Sequence, residues 1–138
     1  MQPDPERPGP CASAVEPTPP TISIVDDDLS MRRALRRLVR SAGFPVETFA
    51  SARDYLDATA RDRGGCLVLD IHMEGMNGFE LQERLVSDRC AIPVIFITAH
   101  DDPVTRERIR RSGAAGYLSK PFDPEALLDE IRRVSGAA

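Results

Sequence analysis

The chain has 138 residues, of which 41% are hydrophobic, and a formal net charge of -4. This length suits one domain of about 100–200 residues, and no apolar run approaches the ~18 residues that a membrane-spanning helix needs. The acidic, proline-rich N-terminus does not match a secretory signal, and a sequence pI of 5.2 disfavours a dedicated nucleic-acid binder. We therefore expect a cytoplasmic protein that contacts neither nucleic acid nor membrane directly.

The N-terminal segment differs in composition from the rest of the chain. Residues 1–20 hold seven of the twelve prolines and few apolar side chains, which predicts a disordered tail. Residues 21–138 are predicted to form one domain. The three cysteines, at positions 11, 66 and 90, lack the spacing of a metal site, and we expect free thiols in a reducing compartment.

From residue 21 onward, short apolar runs alternate with amphipathic stretches. The five runs predicted to be strands are residues 21–25, 46–49, 66–69, 94–97 and 116–118. The third and fourth runs are apolar throughout, as expected of strands covered on both faces, whereas the second alternates, as an edge strand does. Apolar residues recur at helical spacing between the runs. Five such repeats predict an α/β domain with a central parallel sheet.

Several of the predicted helices begin at recognisable capping residues. Asn77 resembles an N-cap, and Asp102 and Asp123 each precede a proline that can occupy the first helical position. The helix after Asp102 has only Val104 and Ile109 as an apolar face. This helix is therefore predicted to be the least firmly docked of the five.

Polar side chains follow four of the predicted strands at their carboxyl ends. The first strand ends in three aspartates (26–28), the third in Asp70, the fourth in Thr98 and the fifth in Ser119-Lys120. Since the carboxyl ends of parallel strands open onto one edge of a sheet, these groups should converge there. Carboxylates so close together must raise a pKa or recruit a cation. Their hard oxygen atoms favour Mg²⁺.

This set of groups is suited to a phosphoryl group. Bound Mg²⁺ would relieve the repulsion and leave one carboxylate free to attack an electrophile. The three phosphoryl oxygens could be shared among the metal, the Lys120 ammonium and the Thr98 hydroxyl. Asp70 comes from the middle of the constellation and is the natural nucleophile. The sequence therefore predicts a site that holds a phosphoryl group on Asp70.

Four motifs together resemble those of response-regulator receiver domains of two-component signalling, over about residues 21–136. They are IVDDD at 24–28, LVLDIHM at 67–73, ITAH at 97–100 and GYLSKPF at 116–122. The form of several of them is similar to the FixJ-like branch of that family. The resemblance implies a flavodoxin-like (βα)5 fold, with a five-stranded parallel sheet of order 2-1-3-4-5 and helices on both faces.

The resemblance also implies ligands and a phosphate donor. Asp70 would accept a phosphoryl group from a phosphohistidine of a sensor histidine kinase or phosphotransfer protein. Asp27 and Asp70 would bind Mg²⁺ directly, Asp26 would act mainly through water, and His72 would contribute its backbone carbonyl. Lys120 would pair with the phosphoryl group through its ammonium, and the peptide bond that follows it, to proline, would be cis.

The resemblance further implies a conformational switch. The Thr98 hydroxyl would bind a phosphoryl oxygen, and Tyr117 would turn inward as Thr98 moves. This would reshape the face formed by the fourth helix, fifth strand and fifth helix for a downstream protein partner, or for a homodimer that forms on phosphorylation. The chain would catalyse only its own phosphorylation and dephosphorylation. It is expected to be a stand-alone regulator or the receiver segment of a longer transcription regulator.

Several features leave alternatives open. Glu74 stands where receivers usually have proline. His72 and His100 flank the acceptor, and they are either exposed loop residues or groups that make the acyl-phosphate lifetime depend on pH. The arginine face of the first helix is a solvated surface or a kinase-docking surface. Two other functions fit: a docking module that works without phosphorylation, and a Mg²⁺-dependent phosphatase with an aspartyl intermediate, suggested by the spacing of Asp26 and Asp28.

Overall fold

The computed structural model describes residues 20–58 and 65–135. Except for residue 20, the predicted disordered tail lies outside these ranges, so its disorder stays a prediction, as does the domain boundary at residue 21. None of the helices within the described ranges is both long enough and apolar enough to cross a membrane.

Five strands alternate with five helices along the chain, as the hydrophobic pattern predicts. The strands are β1 (Ile22–Val25), β2 (Val46–Phe49), β3 (Cys66–Asp70), β4 (Val94–Thr98) and β5 (Gly116–Ser119). The helices are α1 (Leu29–Ser41), α2 (Ala52–Asp57), α3 (Gly78–Ser87), α4 (Pro103–Ser112) and α5 (Pro124–Ser135).

The strands form one parallel sheet of order β2-β1-β3-β4-β5. This confirms the predicted flavodoxin-like arrangement. The register pairs Val25 with Leu69 and Asp70 with Ile97, so that β1, β3 and β4 end at nearly the same level. The polar residues at those three ends therefore share one edge of the sheet.

Each face of the sheet carries its own hydrophobic core. Successive side chains of a strand point to opposite faces, and in β3 both sets are buried: Leu67 and Leu69 pack toward α2, α3 and α4, whereas Cys66 and Val68 pack toward α1 and α5. Burying one such aliphatic side chain stabilises the fold by roughly 1.5–3 kcal/mol. All residues of β2 remain partly exposed, as predicted for an edge strand.

The helix starts follow the predicted capping chemistry. The side chain of Asn77 accepts a hydrogen bond from the Glu80 N–H, and the Glu80 side chain accepts one from the Asn77 N–H, which completes a capping box at α3. Asp102 caps α4 and precedes Pro103. The only side chain of α4 that is fully buried is that of Ile109, and this confirms the thin apolar face predicted for that helix.

The cysteines differ from one another. Cys66 is a free thiol within the core, where burial raises its pKa to about 12. Cys90 is disulfide-bonded, so the expectation of a free thiol is wrong for this residue, and Cys11 lies outside the described residues. Cysteine spacing in the sequence does not reveal which Cα atoms come within the roughly 4.4–6.8 Å that a disulfide requires.

Candidate functional site

Three carboxylates meet at the carboxyl edge of the sheet. Asp26 and Asp27 directly follow β1, and Asp70 is the last residue of β3. One oxygen atom of each carboxylate lies within 4.8 Å of the other two. The convergence predicted from the strand ends is therefore present for these three residues.

The cluster is buried on one side and open on the other. Asp26 and Asp70 are 0% and 5% exposed, whereas Asp27 is exposed. The Glu74 N–H donates to Asp27 Oδ2 over 3.3 Å. Glu74, which stands where receivers usually have proline, thus holds the exposed Asp27 carboxylate through its own backbone N–H. The identity of the Glu74 side chain does not predict this contact.

Lys120 provides a cation at the same edge. Its Nζ lies 3.3 Å from Asp26 Oδ2 and 3.7 Å from Asp70 Oδ2. The Lys120 backbone N–H donates to the Thr98 carbonyl over 2.7 Å, which ties the end of β5 to the end of β4. The peptide bond between Lys120 and Pro121 is cis, as the resemblance implies.

Asp28 does not join the carboxylate cluster. Its Oδ1 accepts hydrogen bonds from the backbone N–H groups of Ser30 and Met31, at 2.9 and 3.3 Å, and thereby caps α1. The Asp28 N–H donates to Asp26 Oδ1 over 2.9 Å. Arg32, one of the arginines of α1, donates through its guanidinium to the Asp26 carbonyl over 2.8 Å. These contacts fix Asp26 in place.

The electrostatics of the cluster raise the pKa of Asp70 to about 6. Burial is the largest cause, and the neighbouring charge of Asp26 adds to it. Lys120 and a hydrogen bond from the His72 N–H lower the pKa of Asp70 but do not outweigh the other two effects. The crowded carboxylates therefore contribute to the raised pKa, as expected, but burial contributes more.

Thr98 and Tyr117 lie where the strand pattern predicts. Thr98 is fully buried, and its Oγ1 accepts a hydrogen bond from the His100 N–H over 2.9 Å. The hydroxyl is also within 3.3 Å of the His100 carbonyl. Tyr117 stands opposite Phe96 in the sheet and is half-buried against the core that faces α2, α3 and α4.

His72 and His100 contact each other across the mouth of the cluster. Their ring centroids lie 4.3 Å apart, and the ring planes are inclined by 53°. Both residues are exposed, as the simpler interpretation of the sequence expects. Partial burial lowers the pKa of His72, and the nearby His100 lowers it further, while Asp102 opposes the shift. The sequence contains no sign of this pairing because the two residues lie on different loops.

The donor set of the cluster fits a divalent cation. All three side chains offer oxygen, the ligand atom that Mg²⁺ prefers. Three carboxylates face a single ammonium, so a divalent ion would balance the charge and lower the pKa of Asp70. Within residues 20–58 and 65–135, this is the only group of three or more acidic, histidine or cysteine side chains whose ligand atoms all lie within 4.8 Å of one another.

Comparison with known proteins places this site in a family. Residues 22–132 match the model of the response regulator receiver domain. The nodulation protein W of Bradyrhizobium diazoefficiens is 44% identical over 110 residues, which cover 80% of this chain and 48% of that protein. The chain thus spans about half the length of this relative.

Two solved structures extend the comparison. The response regulator StyR superposes with a TM-score of 0.78 at 49% identity, covering 86% of this chain and 60% of that one. FixJ-N superposes with a TM-score of 0.78 at 33% identity, covering 86% of this chain and 94% of that one. With its fold, its acidic pocket and its lysine, this chain belongs to the response regulator receiver domain family and is similar to the FixJ-like regulators of two-component systems.

Proposed function

We propose that the chain is a phosphoryl-accepting switch, in which Asp70 takes a phosphoryl group from a phosphohistidine of a sensor histidine kinase or phosphotransfer protein. The observation that carries this proposal is the cluster itself. One carboxylate oxygen of Asp70 lies within 4.8 Å of a carboxylate oxygen of Asp26 and of Asp27. The Nζ atom of Lys120 lies 3.7 Å from Asp70 Oδ2. A nucleophile, a metal-binding group and a cation thus lie together at one edge of the sheet.

Asp27 and Asp70 would hold Mg²⁺ directly, Asp26 would act through water, and His72 would contribute its backbone carbonyl. The open side of the cluster, at Asp27, leaves access for the ion and for a donor. When bound, Mg²⁺ supplies positive charge that offsets the charge developing on the transferred phosphoryl group. Asp26 is fully buried and held by the Asp28 N–H and by Lys120, which suits a fixed, indirect role.

In the transfer step, a carboxylate oxygen of Asp70 attacks the phosphorus atom. The bond from phosphorus to the donor nitrogen breaks, and the leaving imidazole keeps the electron pair. Lys120 binds one phosphoryl oxygen through its ammonium. The Thr98 hydroxyl can bind another after it exchanges its hydrogen bonds with the His100 backbone.

This exchange couples the chemistry to a surface. Phosphorylation adds about 1.5 to 2 negative charges, and these attract Thr98 and Lys120 toward Asp70. Tyr117, half-buried beside the fourth strand, would then turn inward. The adjoining helix α4 is weakly anchored, since Ile109 is its buried side chain and Val104 is 78% exposed. Such an element is readily shifted by a small local change.

The reshaped face of α4, β5 and α5 would bind a downstream protein or a second copy of the chain. This signalling would take place in the cytoplasm, where a kinase can supply phosphohistidine. The chain would work in this way either as a stand-alone regulator or as the receiver segment of a longer one. The only chemistry proposed for the chain is acceptance and loss of its own phosphoryl group.

Two other functions are weaker candidates. A phosphatase with its nucleophile at Asp26 would need Asp28 to face the substrate, but the Asp28 side chain caps α1. A docking module that works without phosphorylation would have no use for three crowded carboxylates beside a lysine. Burial of Asp70, together with repulsion by Asp26 and Asp27, raises the pKa of Asp70 to about 6, even though Lys120 opposes the shift.

Incubation with acetyl phosphate and Mg²⁺, followed by intact-mass measurement, tests the proposal. We expect one phosphoryl group to be incorporated per chain. No incorporation is expected when EDTA is added before acetyl phosphate, or when Asp70 is replaced in Asp70→Asn. The matched control is Asp28→Asn, which removes a neighbouring carboxylate but keeps an equivalent N-cap, and it should be labelled like the parent. Equal labelling of Asp70→Asn and the parent protein would refute the assignment. Steady release of phosphate from a phosphomonoester would favour the phosphatase.

A further inference from the structure

Two imidazoles stand together at the rim of the acidic pocket, outside the carboxylate cluster. His72 follows the end of β3 by two residues, and His100 follows the end of β4 by two residues. Their ring centroids are 4.3 Å apart, and both residues are exposed. They are the only two histidines in the chain.

The backbone holds both histidines in place from the protein side. The N–H of Ile71, next to His72, donates to the Ile97 carbonyl over 3.1 Å, and the His100 N–H donates to Thr98 Oγ1 over 2.9 Å. Each histidine is therefore fixed to a buried strand end while its ring remains at the surface. Groups held in this way lose little conformational freedom when they bind a ligand.

Imidazole nitrogen is a preferred ligand of Zn²⁺, Cu²⁺ and Ni²⁺, whereas Mg²⁺ prefers oxygen. Two nitrogen atoms that are each about 2.0–2.1 Å from one ion lie about 3 to 4 Å from each other, which is comparable with the 4.3 Å between the two ring centroids. We propose that His72 and His100 together bind a divalent transition-metal ion, at a site distinct from the carboxylate cluster.

Two charges of opposite sign act near the pair: the Lys120 ammonium repels a cation at His72, whereas the Asp102 carboxylate attracts one, so we expect a modest affinity. Asp102 lies close enough to act electrostatically on both imidazoles. No third side chain within the described parts of the chain forms a compact ligand group with the two histidines. Water would therefore complete the coordination of the ion.

An ion at this position would tie the loop after β3 to the loop after β4. The first loop begins directly after Asp70, and the backbone of the second contacts Thr98. Occupancy of the pair should therefore slow the movement of Thr98 toward Asp70. This consequence rests on the proposed function, whereas metal binding by the histidines does not.

Pulsed electron paramagnetic resonance on the untagged chain tests the site directly. One equivalent of Cu²⁺ is added in the presence of excess Mg²⁺, which occupies the carboxylates. Because the chain has two histidines, any imidazole nitrogen coupling must come from them. We expect couplings from two imidazoles on one ion. Couplings from one imidazole only, or from none, would overturn the proposal.

Two variants and one control locate the signal. His72→Gln and His100→Gln, both at exposed positions, should each reduce the spectrum to one imidazole, with unchanged circular dichroism as the measure of folding. Asp70→Asn alters the carboxylate cluster and should keep both couplings. Loss of the two-imidazole spectrum in Asp70→Asn would place the copper at the carboxylates and refute the proposal.

Labelling with acetyl phosphate tests the consequence separately. One equivalent of Zn²⁺ should slow the labelling of the parent protein in excess Mg²⁺ and leave the rate for His100→Gln unchanged. Equal slowing of both proteins would show that Zn²⁺ acts at the carboxylates. If no protein is labelled even without Zn²⁺, the proposed function fails, but the electron paramagnetic resonance result still decides the metal site.

Discussion

Replacing Asp70 by asparagine should stabilise the metal-free protein at neutral pH. The carboxyl of Asp70 has its pKa raised from 3.8 to about 6, mainly because it is buried and because Asp26 repels its charge. Asparagine has nearly the same shape but carries no charge. The substitution therefore removes an unfavourable charge from the folded state.

The pKa shift sets the size of this effect. One pKa unit corresponds to about 1.4 kcal/mol, so a shift of about two units gives an upper limit near 3 kcal/mol. The open side of the cluster admits water, and screening reduces this value. We expect Asp70→Asn to raise the free energy of unfolding by about 1–2 kcal/mol at pH 7.5.

The size of the effect depends on pH. The folded state binds the proton of Asp70 more tightly than the unfolded state does, so the parent protein loses stability as the pH rises from about 4 to about 6. The advantage of Asp70→Asn should therefore be full above pH 7 and absent near pH 4. Mg²⁺ should reverse the order at neutral pH, because a ligand stabilises the state that binds it, and the parent protein has the additional carboxylate.

Urea unfolding followed by circular dichroism, in EDTA at pH 7.5 and at pH 4, measures these differences. Asp28→Asn serves as the control because asparagine is an equivalent N-cap, and it should change stability by less than about 0.5 kcal/mol. The reasoning is refuted if, in EDTA at pH 7.5, Asp70→Asn is less stable than the parent protein, or if its advantage is the same at both pH values.

Three further substitutions test the fold around the site. Asn77→Ala removes the capping box of α3 and should cost about 1 kcal/mol in urea unfolding, whereas a change near zero would show that the cap contributes nothing. Gly78→Ala would bring a Cβ atom within 2.6 Å of the Asp70 carbonyl oxygen. We therefore expect the free energy of unfolding to fall by about 1–3 kcal/mol and Mg²⁺ binding, measured by calorimetry, to weaken. Unaltered Mg²⁺ affinity would contradict the link between this glycine and the site. Ile109→Ala removes the buried anchor of α4 and should speed amide hydrogen exchange in α4 more than in β3; equal acceleration in both elements would indicate global rather than local loosening.

The sequence by itself determined the fold and the location of the candidate site. Strands that are buried on both faces must be apolar throughout, and helices that cover them must be apolar on one side, so the order of elements can be predicted from local patterns. Since parallel strands end at one edge, Asp26, Asp70, Thr98 and Lys120 could be assigned to a common site before any distance was known.

The tertiary structure alone decided which groups are partners within that site. Of the three consecutive aspartates, Asp28 caps a helix while Asp26 and Asp27 join Asp70. The contact between the Glu74 N–H and Asp27, and the pairing of His72 with His100, join segments that are far apart in sequence. Such contacts depend on the paths of loops and on the register between strands. Local periodicity does not encode either of these, because they are set only when the two cores pack on the sheet.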